Sequence, residues 1–311
     1  MKPVKTVYDH IRSNNIKTAV LVALFPIIFI ALVFLFVWIV EPIDRAADVA
    51  VHVAVPTIVA CLAWMGISWA FGDSMMLNAA GAHEIHDDDP EYRDVFRSVE
   101  NVAIAAGLPT PRVYIIDDAS MNAFATGRGP HDASVALTRG IIKRLNKLEL
   151  QGVIAHEMAH IGNRDIRLDM MLITGIGVTV FAADIILRIV LNGMGIRRDE
   201  NDNRGMVAVL FMVWVAFMVF NVIITPILRM AISREREYAA DATGAKITRN
   251  PHALADALRK ISTDCRVESM DKVKSMAAVC IAYPGAREFV GDLFATHPPV
   301  EKRIRRLEQM G

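Results

Sequence analysis

The sequence is poor in cysteine: only Cys61, Cys265 and Cys280 in 311 residues. They are widely spaced and form no metal-ligand pattern, which excludes a disulfide framework and a cysteine-based zinc motif. Cys61 falls in an apolar run and reads as packing. Cys265 and Cys280 could pair, but free buried thiols in a reducing compartment are the simpler expectation. Net charge is lacking as well: 34 acidic residues cancel 34 basic ones. That balance gives no argument for a nucleic-acid partner, and none is expected. A cleavable leader is not expected either. Thr18 to Val40 runs without a charge and is too long for a signal-peptide core, and no small-residue cleavage site follows. An uncleaved anchor is expected instead.

What the chain has in quantity is apolar sequence, 53% of its residues, above the soluble norm. The run Thr18–Val40 would span about 34 Å as a helix, enough to cross a bilayer, with Pro26 as a possible kink. Glu41 to Asp48 forms a tight connection to a second run, Val49 to Gly72. Met170 to Ala183 begins a third, closed by Asp184 and Arg188 four residues apart, and Gly205 to Leu228 is a fourth. Four transmembrane helices in two hairpins are therefore expected. The chain divides accordingly into residues 1–72, 73–167, 168–229 and 230–311, the second and fourth of soluble character. Basic residues gather before the first run and after the second and fourth. The positive-inside rule then puts both termini and both soluble segments in the cytoplasm.

Within the first soluble segment, His83 and His86 beside Asp87, Asp88 and Asp89 read as a solvated linker. Pro90 opens a helical stretch to about Ala106, and Leu108-Pro109-Thr110-Pro111 ends it. Val113–Asp117, Met121–Ala125 and Ser134–Thr138 read as strands between Gly- and Pro-containing turns. Asn146 then offers an N-cap with Glu149 in capping-box position. The helix it opens carries His156-Glu157-Met158-Ala159-His160.

This H-E-x-x-H pattern puts His156 and His160 on one helical face, where both can offer a ring nitrogen to one Zn²⁺. Glu157 would turn toward the metal's open position as general base. An amphipathic helix with two surface histidines is the bland alternative. Val153, Ile154, Ala155, Met158, Ala159 and Ile161 argue against it, because they make the helix apolar nearly all round and enclose the histidines. Beyond the fourth run, Ser233 to Ala242 is helix-compatible and dense in charge, with Glu237 and Asp241 four apart on one face. Taken alone it would be a solvated charged helix. With H-E-x-x-H upstream, it can supply a third metal ligand and a carboxylate for the distal nitrogen of a ligating histidine.

AHEMAH, an apolar hairpin, and then SREREYAADATGA resemble the HtpX family of membrane zinc endopeptidases. These are gluzincins, distant relatives of the CAAX prenyl proteases. The resemblance extends to GLPTPRVYII, MNAFATGRGP, VALTRGII and THPPVEKRIRRL, essentially the whole chain. It implies a mainly α integral membrane protein with an α+β zincin-like catalytic domain and a small sheet. It assigns Glu237, just before Tyr238, as the third zinc ligand, in preference to Glu235, and Asp241 as hydrogen-bond partner of a ligand. One Zn²⁺ per chain is expected. Asn122, Ala123 and Phe124 would hold extended substrate by strand addition. His297 and Arg303 would approach the scissile carbonyl and stabilise the oxyanion.

The expected activity is endopeptidase hydrolysis of damaged or misassembled membrane proteins at the cytoplasmic face of the inner membrane, in quality control under stress. The partners are protein substrates and the bilayer. A CAAX-type prenyl-protein endopeptidase would share the site but needs more than four spans. A catalytically inactive membrane scaffold would not keep every catalytic position filled. A transporter would need ionisable or broken helices near mid-membrane, and only Asp184 and Arg188 hint at that.

Overall fold

A computed structural model describes residues 43–171, 234–262 and 299–310, with isolated positions in the remaining apolar segments. Its described elements are α1 (Ile43–Ala79), β1 (Ala82–Ile85), α2 (Arg93–Ala106), β2 (Arg112–Ile116) and β3 (Ala123–Thr126), followed after a 3-10 turn by β4 (Ser134–Thr138). Then come α3 (Arg139–Arg144), α4 (Lys147–Gly162), α5 (Arg234–Thr248), α6 (Pro251–Ile261) and α7 (Val300–Glu308). The architecture is helical around one small sheet.

The second apolar run lies inside α1, which is already helical at Ile43, where a connection was expected, and continues to Ala79. The other three runs fall outside the described residues apart from isolated positions. Among the described residues, no helix is long and apolar enough to cross a membrane.

The sheet has strand order β1-β2-β4-β3. β2 and β4 are parallel, and β1 and β3 flank them antiparallel. β1 corrects the linker expected around His83. Only Ile85 is buried in it, so the sequence shows no alternation, yet its backbone pairs with β2 from Ala82↔Ile116 to Ile85↔Val113. Alternation governs the rest. Val113, Ile115, Ala123, Ala125, Val135 and Leu137 face the main core, which includes α2, α4 and α6. Tyr114, Ile116, Phe124 and Ala136 face a second cluster with Met76 and Leu77 of α1.

α2 buries Val95, Val99 and Val102 at helical spacing. It stops at Gly107, whose φ of 66° suits the left-handed C-cap a side chain resists. α4 starts at the foreseen capping box: Asn146 Oδ1 accepts the Glu149 N–H at 3.0 Å, and Glu149 Oε2 accepts the Asn146 N–H at 2.8 Å. Lys260 of α6 donates to the same Glu149 oxygen at 2.7 Å. The helix at the centre of the site is thereby pinned at its start.

Candidate active site

From Leu150 to Ile161, all but one of the residues of α4 are buried. Its histidines therefore cannot be satisfied by bulk water and need partners in the protein. His156 Nδ1 lies 3.0 Å from Asp241 Oδ1. His160 Nδ1 lies 2.9 Å from Asp165 Oδ2. With each Nδ1 committed to a carboxylate, both Nε2 atoms turn inward to 3.2 Å from each other. Glu237 completes the group, its oxygens 3.7 Å from His156 Nε2 and 3.6 Å from His160 Nε2. Among the described residues, His156, His160 and Glu237 are the set with ligand atoms close enough to share one metal ion. Glu237 and Asp241 stand together because they lie one helical turn apart on α5.

Gly244, a further turn along that face, lets the two helices touch. A Cβ there would come within 3.1 Å of the His156 backbone nitrogen. No local pattern singles out this glycine. It sets the distance between the helix bearing the histidines and the helix bearing the carboxylates.

Asp165 and Arg236 were not foreseen. α4 ends at Gly162, and Arg164, at φ 58°, turns the chain so that Asp165 comes under His160. Arg236 Nη2 donates to both oxygens of Asp169 at 3.0 and 2.8 Å, and its Nε lies 3.7 Å from Asp165. The one signal available was an arginine directly before the Glu237 ligand position.

Arg303 is fully buried and sits against the carboxylates. It donates from Nε and Nη2 to the two oxygens of Asp241 at 2.8 and 2.7 Å, and Nη1 lies 3.4 Å from Glu237. Its Nη2 also lies within 3.4 Å of both ring nitrogens of His156. His297, expected beside it, lies outside the described residues. Burial pushes the Asp241 carboxyl up, but the Arg303 guanidinium and the His156 ring outweigh it and hold the group at about 2. Burial likewise works against a charged His160. Its hydrogen bond with Asp165 and the charge of Glu237 prevail and raise it to about 9 in the metal-free protein.

Glu157 is buried, and desolvation pushes its carboxyl up against the pull of the two histidines. It takes a hydrogen bond from the Ala125 backbone, so it stands between the metal-ligand group and β3. That strand is an edge of the sheet. Asn122 is tied to Thr138 twice: its N–H donates to the Thr138 side-chain Oγ1 at 2.9 Å, and its carbonyl accepts the Thr138 N–H at 3.0 Å. By alternation, Phe124 also turns its backbone to β4. Ala123 and Ala125 turn theirs to the outer edge, where Asn122 Oδ1 accepts the Ala123 N–H at 2.8 Å. The Phe124 side chain points the other way, into the second core cluster.

The donor set fits a zinc ion: two imidazoles, one carboxylate, and a carboxylate on each distal nitrogen. Charge fits too. Glu157, Asp165, Asp169, Glu237 and Asp241 outnumber the guanidiniums of Arg236 and Arg303, an excess that a divalent cation reduces.

Residues 90–311 match the model of peptidase family M48. The chain is 39% identical over 309 residues to a protease HtpX homolog of Thermoanaerobacter pseudethanolicus, covering 98% of each. It is 38% identical over 310 residues to the homolog of Caldanaerobacter subterraneus subsp. tengcongensis, again covering 98% of each. Against the homolog of Bacteroides fragilis it is 36% identical over 313 residues, covering 95% and 96%. The crystal structure of S. mikatae Ste24p is 19% identical with a TM-score of 0.45, covering 89% of this chain and 61% of that one.

Proposed function

The chain belongs to peptidase family M48, among the HtpX proteases, and is a metalloprotease; from that premise we propose a zinc-dependent endopeptidase, held in the membrane by its apolar runs, that cleaves misfolded or damaged membrane proteins at the cytoplasmic face. One observation carries the chemistry. The Nε2 atoms of His156 and His160 converge with Glu237 because Asp241 and Asp165 occupy both Nδ1 atoms.

His156, His160 and Glu237 would hold the ion, and Asp241 and Asp165 would fix the tautomer of each imidazole. Bound zinc supplies Lewis acidity at the position its three protein ligands leave open. Glu157 is the general base. Its carboxyl, raised by burial, takes a proton from the attacking water and returns it to the leaving amine. The outward carbonyls of Ala123 and Ala125 would receive an extended peptide along β3, with Asn122 closing one end. Arg303, occupied with Asp241, is a positioning residue for His156, and oxyanion stabilisation falls to His297. Quality control of membrane proteins follows from the family resemblance and from the apolar runs that would place the enzyme beside such substrates.

Purified full-length protein in detergent should contain one zinc per chain and cleave unfolded casein. The Glu157→Ala variant should keep the zinc and lose the cleavage. Casein cleavage undiminished in that variant, or persisting after the metal is stripped, would sink the assignment.

A further inference from the structure

Away from the metal-ligand group, a cavity of about 310 Å³ opens where α1 meets the turn after β3. Trp69, Arg128, His131, Asp132, Arg164 and Arg167 line it. Three guanidiniums thus face a single carboxylate. Asp132 pairs with Arg128 at 3.3 Å. Arg167 donates from Nε to the Arg128 carbonyl at 2.7 Å and lies over the Trp69 ring, 5.3 Å from its centroid. Arg164 reaches the cavity from a left-handed backbone position, φ 58°, which a non-glycine residue rarely adopts. Burial and the charge of Arg164 hold the Arg167 guanidinium below its ordinary value. Like charges crowded in this way have lost hydration and call for an anion.

The neighbouring surface is apolar. Val55, Ile58 and Leu62, which share the face of α1 that brings Trp69 to the cavity, are 58%, 39% and 58% exposed. A basic recess opening beside an exposed apolar helix, with an indole at the junction, matches an amphiphile. Its phosphate would take the arginines, and its chains would lie along α1. We propose that this cavity binds the headgroup of an anionic phospholipid, with the phosphate on Arg128, Arg164 and Arg167 and the acyl chains against α1. The site adjoins the end of β3 and follows the C-terminal turn of α4. A bound lipid there would fix the height of the substrate edge relative to the bilayer.

The inference rests on the membrane reading above for its source of lipid, and the two can fail separately. Monomeric short-chain lipid tests the cavity, whereas sedimentation with membranes tests the location. Full-length protein in a non-ionic detergent is titrated with dihexanoylphosphatidylglycerol, the phosphatidylcholine of equal chain length, glycerol 3-phosphate and tri-glutamate. Binding is read by native mass spectrometry. The anionic lipid should bind at least tenfold tighter than the other three. The double variant Arg128→Gln/Arg164→Gln should lose at least tenfold, and Arg128→Lys/Arg164→Lys should stay within about threefold. Trp69→Ala should weaken lipid but leave glycerol 3-phosphate unchanged. Equal binding of phosphatidylcholine overturns the proposal. So does glycerol 3-phosphate binding as tightly as the lipid, which would mean a free-phosphate site. Tri-glutamate binding more tightly would mean a subsite for acidic peptide. Because these comparisons are made on the unaltered protein, a variant that fails to fold does not shelter the idea.

Discussion

Arg303 holds Asp241 by two parallel hydrogen bonds of 2.8 and 2.7 Å, and Asp241 in turn stands 3.0 Å from His156 Nδ1. α7 thereby reaches a metal ligand on α4 through a carboxylate on α5. The planar guanidinium fork suits this geometry, and a lysine cannot reproduce it.

Replacing Arg303 with Gln leaves a buried carboxylate without its counter-charge. The fold should lose about 3–5 kcal/mol, the usual result of breaking a buried pair from one side. Zinc affinity should fall as His156 loses its anchor, and Arg303→Lys should recover only part. Thermal melting and a zinc titration read the two effects. If kcat drops while zinc affinity and melting temperature hold, Arg303 works on substrate and not on Asp241.

Asp241→Asn and Asp165→Asn should each weaken zinc binding by about ten- to a hundredfold, and excess zinc should restore much of the casein cleavage. The two are comparable because each carboxylate holds one imidazole. An Asp165→Asn protein with unaltered zinc affinity would remove Asp165 from the site.

Zinc binding should depend on pH with a definite sign. In the metal-free protein His160 keeps its proton up to about 9, above the ordinary imidazole value, so the charged form prevails at neutrality. A metal must displace that proton, so apparent affinity should rise by up to about tenfold per pH unit and level off near 9. Calorimetry in buffers of different ionisation enthalpy should show about one proton released at pH 7. No buffer dependence would mean His160 is neutral before the metal arrives.

Gly244→Val should push α5 off α4, because a side chain there meets the His156 backbone rather than a movable group. A cost of about 1–3 kcal/mol is expected from overpacking, with zinc lost before the fold melts. Gly244→Ala should be milder. Full zinc occupancy in the valine variant would show that the helices can separate without disturbing the ligands.

Much of this centre was legible in the sequence because it obeys local rules. Asn146 and Glu149 announce the start of α4, four-residue spacing aligns His156 with His160, and the same spacing aligns Glu237 with Asp241. Asp165 was hidden because it follows the end of the helix and reaches His160 only through the turn at Arg164. β1 was hidden because its pairing is a backbone property, while its exposed His83 and Glu84 look like linker residues. The roles of Arg236 and Gly244 depend on which helices come together, which no local period encodes.

The arrangement also orders events during translation. His156, Glu157, His160 and Asp165 leave the ribosome first, then Glu237 and Asp241, and Arg303 follows Asp241 by 62 residues. At elongation rates of about 5–20 residues per second, that interval lasts about 3–12 s. Throughout it, a nascent chain has every metal ligand but lacks the cation that holds Asp241 in place. A peptidase built this way gains its final bracing only once α7 has been made.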